Sequence, residues 1–148
     1  MQPLIRLGME QLGQFIVNHW GLWLALVIVL LIIFINELQT QKKRAKELSP
    51  QAAVNLINHE NAVVIDLREA EVFRNGHILD AIRATADDFN EQRMDKYKTK
   101  PLILVCARGL QSSQLATKLR EKGFTQPMAL AGGMAAWQTA ELPVVKGK

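Results

Sequence analysis

Hydrophobic positions fall into two regimes along this chain. Over residues 15–35 they run almost without interruption, FIVNHWGLWLALVIVLLIIFI, with Asn18 and His19 as the clearly polar breaks. After Ser49 they come in short blocks separated by glycine, proline and charged residues. Blocks at 62–65, 102–105 and 127–130 have the unbroken apolar character of strands buried on both faces. Helical spacing alternates with them. Ala52, Ala53, Leu56 and Ile57 form one face behind Ser49-Pro50, a favoured N-cap and first helical residue. Val72 and Phe73 mark a short helix over 69–75, stopped by Gly76. Asp87-Asp88 can cap a helix through Phe89, Met94 and Tyr97, and residues 81–84 read as a short strand. Leu115, Ala116 and Leu119 form one side of a helix that Gly123 ends. Met134 and Trp137 point inward from a helix after Gly132-Gly133, and Pro143-Val144-Val145 comes next. Strands alternating with helices predict an α/β fold, a parallel sheet covered on both faces.

The long apolar run predicts a transmembrane helix. A bilayer core needs about 20 apolar residues, and residues 15–36 supply them if Asn18 and His19 lie at one interface. A signal peptide has a shorter apolar region, about 7–15 residues, and a small-residue cleavage site. Here Asn36-Glu37-Leu38-Gln39 comes instead. A buried core helix is the other alternative, and the length and uniformity of the run speak against it. Only Arg6, balanced by Glu10, precedes the run, while Lys42, Lys43, Arg44 and Lys46 lie after it. The positive-inside rule then puts the rest of the chain in the cytoplasm, with Trp20 and Trp23 at the outer interface. The expected organisation is a short periplasmic segment at 1–14, a transmembrane helix at 15–36, a basic juxtamembrane linker at 37–48 and a folded domain at 49–148.

Charge changes this picture little. The chain has 148 residues and a formal net charge of +4. The juxtamembrane cluster accounts for much of the excess, so the balance does not point to nucleic acid. Four cations beside a span suit anionic lipid heads or serve as a topology signal.

Candidate chemistry centres on the single cysteine. Cys106 comes directly after the 102–105 strand, and Ala107-Arg108-Gly109-Leu110-Gln111-Ser112 leads into the helix. A helix N-terminus carries unpaired N–H groups and about half a positive charge. A loop curling into it forms a nest that binds anions and lowers a thiol pKa. Arg108 adds a cation, and Gly109 can take the positive φ such a nest requires. Asp66, with Arg68 two residues on, falls at the same carboxyl end of the sheet, where ligands of such folds bind. An internal ion pair is the simpler reading of these two. His77, although an imidazole is a common general base, is read as a packing residue. Gly132-Gly133 reads as a tight turn, since it lacks phosphate-loop spacing. Trp137 reads as core.

These residues resemble the rhodanese family. Asp66-Leu67-Arg68 with Phe73 and Gly76-His77-Ile78 is similar to its first signature. Cys106, Gly109 and Ser112 are similar to its six-residue active-site loop, and Leu130-Ala131-Gly132-Gly133 with Trp137 to its C-terminal signature. With the membrane segment ahead, the chain resembles single-pass inner-membrane rhodanese-like proteins of Gram-negative bacteria. The resemblance implies a three-layer sandwich with a central parallel sheet flanked by helices, preceded by one transmembrane helix. It implies sulfur transfer: Cys106 takes a sulfane sulfur from a donor such as thiosulfate, and a thiol or other thiophilic acceptor removes it. The loop from Ala107 to Ser112 would hold the persulfide, with Asp66 and Arg68 in support. No metal or organic cofactor is implied, and a membrane-protein partner is compatible with the anchor. The loop departs from the family's common form at Ala107, where a basic residue often stands, and at Gln111, where an arginine often stands. Both departures weaken recognition of an anionic donor. The lack of a terminal arginine clamp also speaks against a phosphatase or arsenate reductase of related fold. The remaining alternative is a docking or redox-sensing module tethered to the membrane.

Overall fold

The run Leu102-Ile103-Leu104 becomes the centre of the molecule because all three side chains are fully buried. Each stabilises the fold by about 1.5–3 kcal/mol through lost apolar exposure. The structure, a computed structural model, describes residues 2–147; Met1 and Lys148 lie outside the described residues. It comprises two units, residues 2–43 and Arg44 onward.

The first unit is helical. Helix α1 spans Gln2–Asn18 and α2 spans Trp20–Lys43. The two are separated only by His19, whose N–H still donates to the Phe15 carbonyl at 3.0 Å. Much of the segment expected to be a short periplasmic stretch is thus helical, and the break falls at His19, inside the expected span. The α2 helix is long and apolar enough to cross a membrane. Its 24 residues rise about 36 Å, against a hydrocarbon core of about 30 Å.

The second unit is a five-stranded parallel sheet between two layers of helices. Its strands are β1 (Lys46–Leu48), β2 (Val63–Asp66), β3 (Ile82–Arg83), β4 (Pro101–Val105) and β5 (Gln126–Leu130), in the order β1-β5-β4-β2-β3. One face packs Phe89, Ala116, Leu119 and Phe124; the other packs Ala53, Ile78, Met134 and Trp137. Helices α5 (Ala86–Asn90) and α6 (Leu110–Glu121) cover one side, with Phe124 just after α6, and α3 (Pro50–Glu60) and α7 (Gly133–Thr139) cover the other, with Ile78 from a loop. Helix α4 (Ala70–Asn75) comes after β2.

Local signals act as the chain suggests. The Ser49 hydroxyl accepts from the Ala52 N–H at 3.2 Å, with Pro50 opening α3. Helix α6 ends in a Schellman motif: Phe124 N–H donates to the Leu119 carbonyl, Gly123 N–H to Arg120, and Gly123 adopts φ +93°. The helix expected through Phe89, Met94 and Tyr97 is broken. Thr85, not an aspartate, caps α5 in a capping box with Asp88, and a turn of 3-10 helix, Asp95–Tyr97, forms separately.

The segment expected to be a linker contributes strand β1. Leu48 is buried and pairs with Leu130, while Lys46 and Glu47 are exposed on the sheet edge. Three further contacts tie this segment to α6. Ala45 N–H donates to the Thr117 hydroxyl, the Ser113 hydroxyl donates to Glu47, and Arg120 donates to the Arg44 carbonyl.

Candidate active site

Strand β4 delivers Cys106 to the carboxyl edge of the sheet, and α6 begins four residues later. Gly109 makes that connection possible with φ +94°. Its missing side chain matters as much as its backbone. A Cβ there would lie 2.8 Å from the Gly132 nitrogen and 3.2 Å from the Leu130 carbonyl oxygen.

The Cys106 side chain is buried within the loop, and the residue is 4% exposed. Its Sγ accepts from the Gly109 N–H at 3.0 Å and from the Ser112 N–H at 3.4 Å. It also lies 3.3 Å from the Ser112 Oγ, and that hydroxyl donates to the Gly109 carbonyl at 3.1 Å. Burial pushes the Cys106 pKa up and is the largest single influence. Together the Ser112 hydroxyl and the N–H groups of Ser112, Gly109 and Arg108 outweigh it, so the thiol sits below its ordinary value. The Arg108 N–H contributes without meeting hydrogen-bond geometry. Leu110 and Gln111 occupy the first turn of α6, where an N–H has no intrahelical acceptor. The nest therefore retains donors beyond those that the thiol itself engages.

The side chains of the loop are arranged differently from its amides. Ala107, Arg108, Leu110 and Gln111 are exposed, whereas Gly109 and Ser112 are buried. Ser112 has two roles: it packs inside α6 with Ala116 and Leu119, and it meets the thiol.

Asp66 and Arg68 form an ion pair closed on itself. The Arg68 guanidinium reaches both Asp66 oxygens, at 2.7–3.1 Å, and also donates to the Gly76 carbonyl at 2.7 Å. Both side chains are buried, at 9% and 1% exposure. Among the described residues neither bonds to the thiol. The pair fixes the loop from β2 through α4, one strand away from Cys106. His77 is likewise structural: its ring stacks on Phe73 at 3.8 Å and bonds the Phe73 carbonyl, and its backbone bridges to Val145.

The Gly132-Gly133 turn has a role that its sequence does not disclose. Met134 N–H donates to the Cys106 carbonyl at 2.9 Å, and Ala135 N–H to the Ala107 carbonyl at 3.1 Å. The first amides of α7 are thus satisfied by the cysteine loop. A Cβ on Gly133 would collide with the Cys106 carbonyl oxygen. Two consecutive glycines after a strand, opening a helix, are the available signal; the atoms they approach are visible only in three dimensions. Beside the loop, a groove of about 960 Å³ runs along α6, with Arg108, Leu110, Gln114 and Lys118 on one side and Arg44 and Glu47 on the other.

A thiol held by amides after a parallel strand, with a double-glycine turn docked behind it, matches known proteins over most of the folded unit. The rhodanese-like domain family matches residues 49–140. The chain belongs to the rhodanese family. YibN of Escherichia coli (strain K12) is 34% identical over 143 residues, covering 95% of this chain and all of YibN. The rhodanese relative named thiosulfate sulfurtransferase GlpE, from Actinobacillus succinogenes, is 33% identical over 98 residues, 66% of this chain and 88% of that one. Among solved rhodanese folds, a rhodanese-related protein from Thermoplasma volcanium aligns with a TM-score of 0.60 at 21% identity, covering 69% of this chain and 99% of that one.

Proposed function

We propose that this chain is a membrane-anchored sulfurtransferase that carries sulfane sulfur as a persulfide on Cys106. The observation that carries the reading is the convergence of the Gly109 and Ser112 N–H donors on one sulfur, with the Ser112 Oγ 3.3 Å from it. The Cys106 thiolate attacks the outer sulfur of a donor such as thiosulfate. A new S–S bond forms, the donor's S–S bond breaks, and sulfite leaves with the electron pair. A thiolate acceptor then attacks the outer sulfur of the persulfide, and the electron pair returns to Cys106. Covalent catalysis divides one transfer into two displacements. The loop from Ala107 to Ser112 would surround the outer sulfur, with the unengaged amides of Leu110 and Gln111 stabilising its charge as an oxyanion hole does. Asp66 and Arg68 would support the site only by holding the adjacent loop.

The anchor reading places α2 across a bacterial inner membrane, with the N-terminus periplasmic and the domain cytoplasmic. Lys42, Lys43, Arg44 and Lys46 after the apolar run support that orientation. Within this reading residues 1–14 are periplasmic, the span lies within 15–36 with its helix starting at Trp20, and the unit from Arg44 onward, β1 included, carries the chemistry. A membrane-protein partner is consistent with the tether.

The test is mass spectrometry of the full chain after thiosulfate treatment and removal of excess donor. Wild type should gain one sulfur atom, and Cys106→Ser should gain none. No adduct, even with a polysulfide donor, would sink sulfur transfer and favour a docking module. Orientation is tested separately: an alkaline phosphatase fusion after Lys148 should be inactive, and activity there would reverse the topology.

A further inference from the structure

The groove along α6 is much larger than a small sulfur donor requires. At about 960 Å³ it lies at the upper end of pockets that take drug-sized ligands. Gly109, whose N–H donates to the thiol, forms part of its wall beside Arg108 and Leu110, so the groove borders the loop that holds the sulfur. Arg44, Arg108 and Lys118 line it, and none of the three is in an ion pair among the described residues. Two carboxylates also line it, so the cations exceed them by one; Glu47 accepts from Ser113, and Glu121 lies in the last turn of α6, which leaves Arg108 as the charge nearest the loop. The positive end of the α6 dipole adds to Arg108 at the head of the groove. Leu110, 72% exposed, presents an apolar side chain at the same rim.

We propose that this groove docks an acidic, cysteine-bearing polypeptide segment, which delivers the acceptor thiol to Cys106. The inference rests on the persulfide reading above. The segment's carboxylates meet Arg44, Arg108 and Lys118, and an apolar residue covers Leu110. The acceptor thiolate then attacks the outer persulfide sulfur. One S–S bond forms, the other breaks, and the Cys106 thiolate is regenerated with no net oxidation.

The test uses the full chain in discs of neutral phosphatidylcholine and two short fluorescent peptides, one rich in aspartate and one rich in lysine. For binding, each peptide carries serine at the acceptor position, so fluorescence anisotropy reads docking without chemistry. The acidic peptide should bind about ten-fold more tightly, which two or three exposed ion pairs can supply, and salt should erase the difference. The Arg44→Gln/Lys118→Gln pair should remove the preference, and Arg44→Glu/Lys118→Glu should reverse it. Equal binding of the two peptides, or a preference that survives charge reversal, overturns the proposal. So does loss of peptide binding when phosphatidylserine enters the disc, since lipid heads would then be the occupant. With cysteine restored in the peptides, the acidic one should show the lower KM for sulfur transfer. If no persulfide forms, the sulfurtransferase reading fails while anisotropy still reports on the groove.

Discussion

The Met134 N–H donates to the carbonyl oxygen of Cys106 at 2.9 Å, so the helix after the fifth strand is fastened to the loop that carries the thiol. The close approach requires glycine at the preceding position. Gly133 has φ +60°, and its added Cβ would meet backbone atoms of Cys106 and Ala107, which cannot rotate away. Gly133→Ala should therefore lower stability by about 3 kcal/mol or more, combining backbone strain with overpacking. Thermal unfolding followed by circular dichroism measures this. A melting temperature equal to wild type would show that the loop accommodates the methyl group.

Ser112→Ala removes the hydroxyl that lies 3.3 Å from the thiol. The hydroxyl is one of the groups holding the Cys106 pKa down, so the variant's pKa should rise. Alkylation rate against pH reads the midpoint, which should move to higher pH. The same lowered pKa makes stability depend on pH. A thiol lowered on folding binds fewer protons folded than unfolded, between its lowered value and the ordinary one. Wild-type stability relative to Cys106→Ser should thus rise with pH through that window, and fall away as pH drops through the folded value. Denaturant midpoints at several pH values provide the check.

Asp66→Ala leaves Arg68 buried without its carboxylate. Breaking a buried pair in this way typically costs about 3–5 kcal/mol. The loss should appear in stability, while the alkylation midpoint of Cys106 stays where it was. A shifted midpoint would give Asp66 a direct electrostatic hold on the thiol.

Truncation should distinguish two starting points five residues apart. A chain beginning at Arg44 keeps β1 and should be soluble and monodisperse. One beginning at Ser49 loses the strand paired to β5 and uncovers an open edge. It should be less stable and should associate, read by light scattering and denaturant unfolding. Equal behaviour would show that β1 contributes little to the sheet.

Gln111→Arg supplies a cation at an exposed position of the loop. Thiosulfate turnover should rise roughly ten-fold, mainly through a lower KM, because one charged hydrogen bond to a divalent anion is worth about 1–2 kcal/mol. A change confined to kcat would mean that donor binding is not what the glutamine limits.

Much of this architecture can be read from the chain because the deciding interactions are local. Ser49-Pro50 starts α3 and Gly123 ends α6 through contacts within a turn of themselves. The 102–105 block is apolar throughout because both faces of its strand are covered, and the nature of the cysteine loop is legible from its position between strand and helix. The features that escape a sequence reading depend on partners far along the chain. Lys46-Glu47-Leu48 has no strand pattern, because an exposed edge strand needs only Leu48 inside. Gly132-Gly133 looks like an ordinary turn, and the carbonyls it approaches lie more than twenty residues earlier. The extent of α1 and the break at His19 are hidden because apolar residues continue on both sides of Asn18-His19, and a polar pair there reads equally well as a membrane interface inside one helix.

The pairing of β1 with β5 also sets an order of events during synthesis. Lys46 pairs with Met128, and roughly eighty residues lie between them. At about 5–20 residues per second, β1 leaves the ribosome on the order of 4–16 s before its neighbour exists. Leu48 must wait uncovered through that interval, since the closure it depends on is non-local. The helices α1 and α2 precede β1 in the chain and complete their hydrogen bonds locally, so they can be finished while the sheet is still open. Among the described residues, the first strand to be made therefore has as its only sheet neighbour the last strand to be made.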